Sequence, residues 1–390
     1  MRIYWIRHGE AEGNLYRRCH GQYDSLITEN GKAQLKALQR RFYGVELNAV
    51  YSSDLYRAWC TANALAAPRG LTVTTHKGLR ELHTGSWEDF TWVEIHRKWP
   101  KEGELFSLRP WEFALDGAET VEDITKRGMS ALREILARHG KEDVIAIASH
   151  GMFTRAMMTN ISGLNIDEMN ALPHGDNTSV SLLNYENNKL TIELYADNSH
   201  LGNLSTLARQ TWWRKGAGMI DRGFWFRAPD LNTEANRVEA YRRDAWLWIY
   251  GDLSRYDSEL FLEETRRQQS LHPQAVVFAV DEDETAGILQ LDVEANLKPD
   301  SGHISFCYLE PRYRMKGMGV QLLGHAVSFY RKLGRSHVVL RVAESNEHAL
   351  YFYKKHGFVQ FGVESGYKCP LLLLSLDISI PPMEPSKRWE

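Results

Sequence analysis

Two histidines, each followed by a glycine and each delivered by a short apolar run, are the side chains of this sequence best placed to do chemistry. The first closes Ile3-Tyr4-Trp5-Ile6-Arg7-His8-Gly9-Glu10, and the second closes Val144-Ile145-Ala146-Ile147-Ala148-Ser149-His150-Gly151. Each run reads as a buried strand that stops at reactive groups. Ligands of an open parallel sheet bind outside the carboxyl ends of its strands, so both imidazoles are expected to face one pocket. A second chemistry is suggested at Tyr313-Arg314-Met315-Lys316-Gly317-Met318-Gly319-Val320, where a strand, a glycine-containing turn and a helix start follow in order. Exposed amides and the helix dipole point at one place there, a ready anion site. The glycines let a ligand approach the main chain closely.

The elements that must hold these groups can be followed along the chain. Thr28 is expected to cap a helix carrying Leu35, Leu38 and Phe42 and ending near Gly44. A strand at 49–52 leads through Asp54 into a helix bearing Arg57. Residues 71–74 are strand-like, 119–138 are helical, and a last strand of the first half falls around 190–195. The stretch 90–115, rich in Trp and charge with weak periodicity, reads as a lid or insertion. Strands alternating with helices predict an α/β sheet covered on both faces. In the second half, 224–226 are strand-like, helices cross 234–269, and strands are expected at 275–280, 286–293 and 303–309. A helix starts at Val320, a strand occupies 338–342, a helix runs from about 347 to 356, and 371–376 form a core strand.

With 390 residues, 43% apolar and 25% charged, the chain suits two soluble globular domains. A formal net charge of −3 without a long basic run gives no reason to expect nucleic acid as a partner. The four cysteines, Cys19, Cys60, Cys307 and Cys369, are scattered and form no Cys-x-x-Cys pair, which argues against a disulfide framework or a zinc site and for a reducing cytoplasm. No apolar run is long enough to span a bilayer, so no membrane is expected.

The first half resembles the histidine phosphatase, or phosphoglycerate-mutase-like, superfamily. The resemblance rests on Arg7-His8-Gly9-Glu10, then Asn14, Gly21 and Asp24, Ser52-Ser53-Asp54-Leu55 before Arg57-Ala58, Glu81 in Leu79-Arg80-Glu81-Leu82, and Ser149-His150-Gly151. It implies a three-layer αβα sandwich. It also implies that His8 becomes phosphorylated, that Arg7, Arg57 and His150 hold the phosphoryl group, that Asn14 assists, and that Glu81 is the proton donor. These residue types suit phosphoryl transfer, which asks for an in-line nucleophile and stabilised charge. Guanidinium forks match phosphate, and a neutral imidazole can attack phosphorus. No metal is needed, and no His-Glu-x-x-His or comparable spacing occurs. His20, His83 and His96 read as ordinary surface or hydrogen-bonded histidines, although His83 lies close enough to Glu81 to line the pocket. Glu119 resembles a family position near the lid, with a capping or solvated role as the alternative. Ala11 and Ser25 stand where the family often has Thr and Pro, which bears on loop shape and substrate. The compact first half favours hydrolysis of a small phosphomonoester over a mutase.

Arg314 to Gly319 is similar to the acetyl-CoA pyrophosphate loop of the GNAT superfamily of N-acetyltransferases, an α+β fold. Asn346-Glu347-His348-Ala349-Leu350-Tyr351-Phe352-Tyr353-Lys354-Lys355-His356-Gly357-Phe358 resembles that family's later motif. By this resemblance acetyl-CoA is the co-substrate and an amine the acceptor. The amides of Met315, Lys316, Gly317, Met318 and Gly319 bind pyrophosphate beside Arg314, Tyr308 and Leu309 line the pantetheine arm, Asn346 contacts the cofactor, and Tyr353 protonates the departing thiolate. Glu310 is a candidate base. The alternatives for these residues are a half-buried helical aromatic at 353 and a solvated basic turn at Arg312, Arg314 and Lys316. The expected organisation is a phosphatase domain at 1–205, a connection at 206–222 in which adjacent tryptophans pack, and an acetyltransferase domain at 223–390 with a polar tail. A bifunctional enzyme is the primary reading. The competing readings are a phosphatase or phosphomutase regulated by a non-catalytic acyl-CoA-binding domain, and the oligomeric state is not legible.

Overall fold

The computed structural model describes residues 1–210, 214–215, 220–221, 223–295 and 297–384. The chain forms two compact units, one built on Met1–Asp221 and the other on Arg222–Ser379. Much of the expected connection, residues 211–213, 216–219 and 222, lies outside the described residues, as do 296 and the tail at 385–390.

The first unit contains strands β1 (Arg2–Arg7), β2 (Ala49–Ser52), β3 (Val73–Thr75), β4 (Val144–Ser149), β5 (Val180–Glu186) and β6 (Lys189–Asp197). Its helices are α1 (Glu12–Tyr16), α2 (Glu29–Arg41), α3 (Tyr56–Ala66), α4 (Trp92–Lys98), α5 (Pro100–Leu108), α6 (Val121–Leu136), α7 (Gly151–Ile161) and α8 (Thr206–Arg209). The six strands form one sheet in the order β3-β2-β4-β1-β5-β6. β1 and β4 pair in parallel from Arg2↔Val144 to Arg7↔Ser149. That register releases His8 and His150 side by side from adjacent strand ends. Alternation along β1 sends Ile3 and Trp5 into a core with α6 and α7, and Ile6 into a core with α2 and α3. Helices therefore cover both faces of the sheet.

Three details depart from the sequence reading. β5 and β6 are antiparallel additions, β5 pairing with β1, so the sheet is mixed. They are joined through Asn187 and Asn188, both at positive φ, as a tight hairpin turn requires. Second, the stretch around 90–115 is helical: Thr91 and Glu94 form a capping box that starts α4. Third, its aromatic residues are packed, with Trp99, Phe106 and Phe113 ringing the fully buried Trp87. Thr28 caps α2 as expected, its hydroxyl accepting from the Gly31 amide.

Short strands β7 (Arg214–Lys215) and β8 (Ile220–Asp221) pair with each other. The second unit contains β9 (Trp225–Arg227), α9 (Ala235–Tyr250), α10 (Ser258–Leu271), β10 (Val276–Asp281), β11 (Glu284–Asp292), β12 (Ser301–Leu309), α11 (Val320–Lys332), β13 (His337–Ala343), α12 (Glu347–Lys355), β14 (Val359–Glu364) and β15 (Leu371–Asp377). Its seven strands follow the order β14-β15-β13-β12-β11-β10-β9. β12 and β13 are parallel, but their pairing runs only from Ser301↔His337 to Ile304↔Leu340, while β12 continues to Leu309 and β13 to Ala343. The sheet opens between those ends. Main-chain groups from Ser305 onward on β12 thereby face a gap in the ladder. The edge strand β14 was not anticipated.

Candidate active sites

His8 leaves β1 with its amide donating to Ser149 O at 2.8 Å, so β4 fixes its position. Its Nδ1 lies 2.7 Å from the Gly9 carbonyl oxygen. A carbonyl only accepts, so Nδ1 carries the hydrogen and Nε2 keeps the lone pair. Burial, then the charges of Arg57 and Arg7, hold this imidazole well below the ordinary histidine range. The His150 ring centroid stands 5.2 Å away. His150 is fully buried, neither of its ring nitrogens has a hydrogen-bond partner, and burial with the Arg57 charge again keeps it neutral. A buried imidazole with both nitrogens unused calls for a ligand or water.

Arg7, His8, Asn14, Arg57 and Glu81 line one cleft of about 190 Å³; His150 is not among its lining residues, though its neighbour Gly151 and the adjacent His8 are. Arg7 Nη1 donates to Gly175 O at 2.5 Å, and a side chain at Gly151 would press on the Arg7 guanidinium. Arg57 donates to the carbonyls of His20, Gly21 and Tyr23 at 2.7–2.9 Å, so it also pins that loop. Asn14 Oδ1 accepts from the Ala11 amide at 3.1 Å and from Asn177 at 3.3 Å. Glu81 is held by both oxygens: Oε2 accepts from the Met152 amide, and Oε1 accepts from the Phe153 and Leu82 amides. Two of those donors belong to the first turn of α7.

Several supporting residues escaped the sequence reading. Asn177 Nδ2 donates to His8 O at 3.0 Å, tying the histidine to Asn14. Arg127 donates to the carbonyls of Gly78, Arg80 and Glu81 and pairs with Glu119 at 2.7 Å. Glu119 is therefore neither a helix cap nor a solvated charge but the counter-ion that orients Arg127 behind Glu81. Its other oxygen accepts from the His83 amide. His20 is of the hydrogen-bonded kind: the residue is half-buried, its Nε2 lies 3.3 Å from Asp89, and it lines the cleft. His83 is not among the lining residues and bonds Gly117 O through Nδ1.

Two consequences are measurable. His8 and His150 are both depressed, so the folded state stays unprotonated where the unfolded chain binds two protons. Their contribution is complete above the unfolded value near 6.5 and is lost as pH falls, at about 1.4 kcal/mol per pH unit for each. Chemical denaturation from pH 7.5 downward should show this slope, diminished by one proton in His150→Asn. Second, a Cβ at Gly21 would overlap Glu88 Oε1 and the Leu82 carbonyl. Gly21→Ala is expected to destabilise the first unit by about 1–3 kcal/mol, read as a lower denaturant midpoint.

In the second unit the turn after β12 carries Met315 and Gly317 at positive φ and reaches α11 with Gly319 as its cap residue. Arg314 is exposed, as the solvated alternative expected, but also braced: Nε donates to Leu309 O at 2.8 Å and the guanidinium lies 5.1 Å from the Tyr308 ring centroid. Arg312 pairs with Glu284 and Glu310, while Lys316 is exposed. Tyr308 donates to Asp244 at 2.6 Å, and Leu309 ends β12 beside the gap. Asn346 caps α12, its Oδ1 accepting from the Ala349 amide at 3.1 Å, so its established contact is structural. The Tyr353 hydroxyl on α12 neighbours the Cys307 thiol on β12, and burial pushes it well above the ordinary phenol range. Cys307 had no assigned role. Glu310 Oε1 accepts from Tyr241 at 2.6 Å.

Among the described residues, no group of His, Cys, Asp or Glu gathers as metal ligands, and no helix is long and apolar enough to cross a membrane. The sequence profile of the histidine phosphatase superfamily (branch 1) matches residues 3–198, and that of the acetyltransferase (GNAT) family matches 236–358. Phosphoserine phosphatase 1 of Hydrogenobacter thermophilus is 27% identical over 202 residues, 52% of this chain and 95% of the relative. The metal-independent phosphoserine phosphatase of Arabidopsis thaliana is 32% identical over 213 residues, 53% of this chain and 86% of that protein. The solved structure of Bacillus stearothermophilus YhfR aligns with a TM-score of 0.50 at 30% identity, covering 51% of this chain and 98% of YhfR.

Proposed function

We propose, for a chain that belongs to the histidine phosphatase superfamily and carries a GNAT-family domain, that it hydrolyses a small phosphomonoester through phospho-His8 and transfers acetyl from acetyl-CoA to an amine. The single observation that carries the first activity is the tautomer of His8, whose hydrogen bond to Gly9 O leaves Nε2 as a nucleophile in an arginine-lined cleft. Nε2 attacks phosphorus while the ester P–O bond breaks, and Glu81 gives its proton to the leaving oxygen. Glu81 then takes a proton from water, which attacks phosphorus and breaks the N–P bond, restoring His8. Arg7, Arg57 and His150 hold the equatorial oxygens, and Asn14 with Asn177 steadies the His8 main chain. Two relatives are named phosphoserine phosphatases. That name, together with the small cleft, supports a compact substrate, and metal independence is proposed by the same likeness.

The second unit fits acetyl-CoA by its shape: a parallel pair that separates after Ile304 and a turn whose amides of Met315 to Gly319 lead into α11. When bound, acetyl-CoA supplies an acetyl thioester. Tyr308, Leu309 and the 314–319 turn hold it, Glu310 accepts the proton that the attacking amine loses, and Tyr353 gives its proton to sulfur as the C–S bond breaks. The proposed domains are 1–205 and 223–390, and the four free cysteines support a reducing cytoplasm as the site of action.

The test is incubation of the full chain with chelator, acetyl-CoA and a cell metabolite extract, followed by mass spectrometry. Loss of phosphate from one metabolite and gain of acetyl by an amine, each abolished by its own variant, His8→Ala or Tyr353→Phe, is the expected result. Phosphate moved to another hydroxyl would instead mark a mutase, and acetyl-CoA binding without transfer would mark a sensor.

A further inference from the structure

The acetyltransferase reading leaves its acceptor undefined, and the α9 face of β12 narrows it. Arg242 lies with its guanidinium 5.1 Å from the Phe261 ring centroid and 4.8 Å from that of Phe306. It is half-buried, and among the described residues it has ring contacts but no carboxylate partner and no hydrogen bond. One turn further along α9, Trp246 holds its indole Nε1 buried without an acceptor. Residues four apart share a helix face. Trp246 Nε1 is thus a buried donor with nothing to receive its hydrogen bond, and the half-buried Arg242 guanidinium beside it has no acceptor within the described residues. Leaving the buried indole N–H unmet is costly, and with a cation beside it an anionic acceptor is called for.

The surroundings say what shape it has. Trp246 packs on Tyr250 at 4.7 Å and on Tyr367 at 6.4 Å between ring centroids. Arg255, exposed, lies 4.9 Å from the Tyr367 ring centroid and adds positive charge at the same wall. Phe306 adjoins Cys307, whose thiol neighbours the Tyr353 hydroxyl. An anionic group seated on Arg242 would therefore lie beside the strand that borders the gap in the sheet. A planar guanidinium fork plus one N–H matches a carboxylate.

We propose that Arg242 and Trp246 bind a carboxylate of the acetyl acceptor, which is thus an amino acid or a closely similar amine-bearing carboxylic acid with an apolar or aromatic body against Tyr250 and Tyr367. This rests on the acetyltransferase reading, and the test separates the two. The full chain with acetyl-CoA is given a mixture of the proteinogenic L-amino acids or the matching amino-acid carboxamides, and N-acetylated products are quantified. The acids are expected to be acetylated at least about 10-fold faster than their amides at low concentration. Arg242→Gln is expected to raise KM for the preferred acid by about 10- to 100-fold with KM for its amide and for acetyl-CoA unchanged. Trp246→Phe, which keeps the ring and removes the N–H, is expected to cost about 5-fold in the same KM. Equal rates on acids and amides by the parent, or equal losses on both in Arg242→Gln, overturn the carboxylate site. If the parent acetylates nothing although it binds acetyl-CoA, the acetyltransferase reading fails. The carboxylate site is then judged by titrating N-acetyl-L-phenylalanine and its amide onto the CoA-loaded chain. Tighter binding of the acid that is lost in Arg242→Gln sustains the site, and equal binding or none overturns it.

Discussion

His8→Ala is expected to lower phosphomonoester turnover by roughly 10⁴- to 10⁶-fold, the scale on which loss of a covalent nucleophile is felt. The effect should be chemical rather than structural. The contacts that fix position 8 are main-chain ones, its amide on Ser149 O and its carbonyl under Asn177 and Thr178, and alanine keeps them. Only the imidazole goes. Near-parental thermal stability, an unchanged rate of acetyl transfer and no restored turnover at any pH are the accompanying expectations. A variant that keeps more than about a hundredth of parental turnover would mean that water attacks phosphorus directly and His8 is at most an electrostatic group.

Tyr353→Phe carries the second largest expected effect, a fall of about 10²- to 10⁴-fold in kcat for acetyl transfer with little change in KM for acetyl-CoA. Phenylalanine retains the ring packing against Phe358, whose centroid is 5.2 Å away. It removes only the O–H. Burial keeps that hydroxyl protonated far above neutral pH, so it remains a donor at the moment thiolate forms. The turn at 314–319, to which binding is assigned, does not touch the substitution. Steady-state kinetics in which KM rises and kcat holds would assign Tyr353 to binding. Cys307→Ala offers a control, because it takes away the neighbouring thiol and leaves the hydroxyl itself.

The parts of this architecture that were readable in sequence are those in which a local pattern and a global requirement agree. The apolar runs before His8 and His150 are buried strands because both faces of the sheet are covered, and their parallel register brings the two imidazoles together. The glycines at 317 and 319 announced the turn before α11, although Met315 adopts positive φ without being glycine. What stayed hidden depends on distant partners. Glu119 had a family position near the lid and a capping or solvated role as its two readings, and only Arg127 shows its counter-charge; Arg127 matters because it reaches carbonyls some 46 to 49 residues away in sequence. Asn177 is 169 residues from His8 in sequence and at its carbonyl in space. The edge strand β14 did carry a signal, since Val359, Phe361 and Val363 alternate, but all three remain exposed, so the usual cue of a buried face was missing. The helices within 90–115 were not legible because aromatic residues packed around Trp87 do not follow a single helical period.

The most direct test of the central claim is to quench the chain in alkali during turnover of p-nitrophenyl phosphate and map the phosphoryl group by peptide mass spectrometry, with His8→Ala alongside. An acid-labile phosphoryl group on Nε2 of His8, absent from the variant, is the expected result. A phosphoryl group on another side chain, or full turnover by His8→Ala, would contradict it.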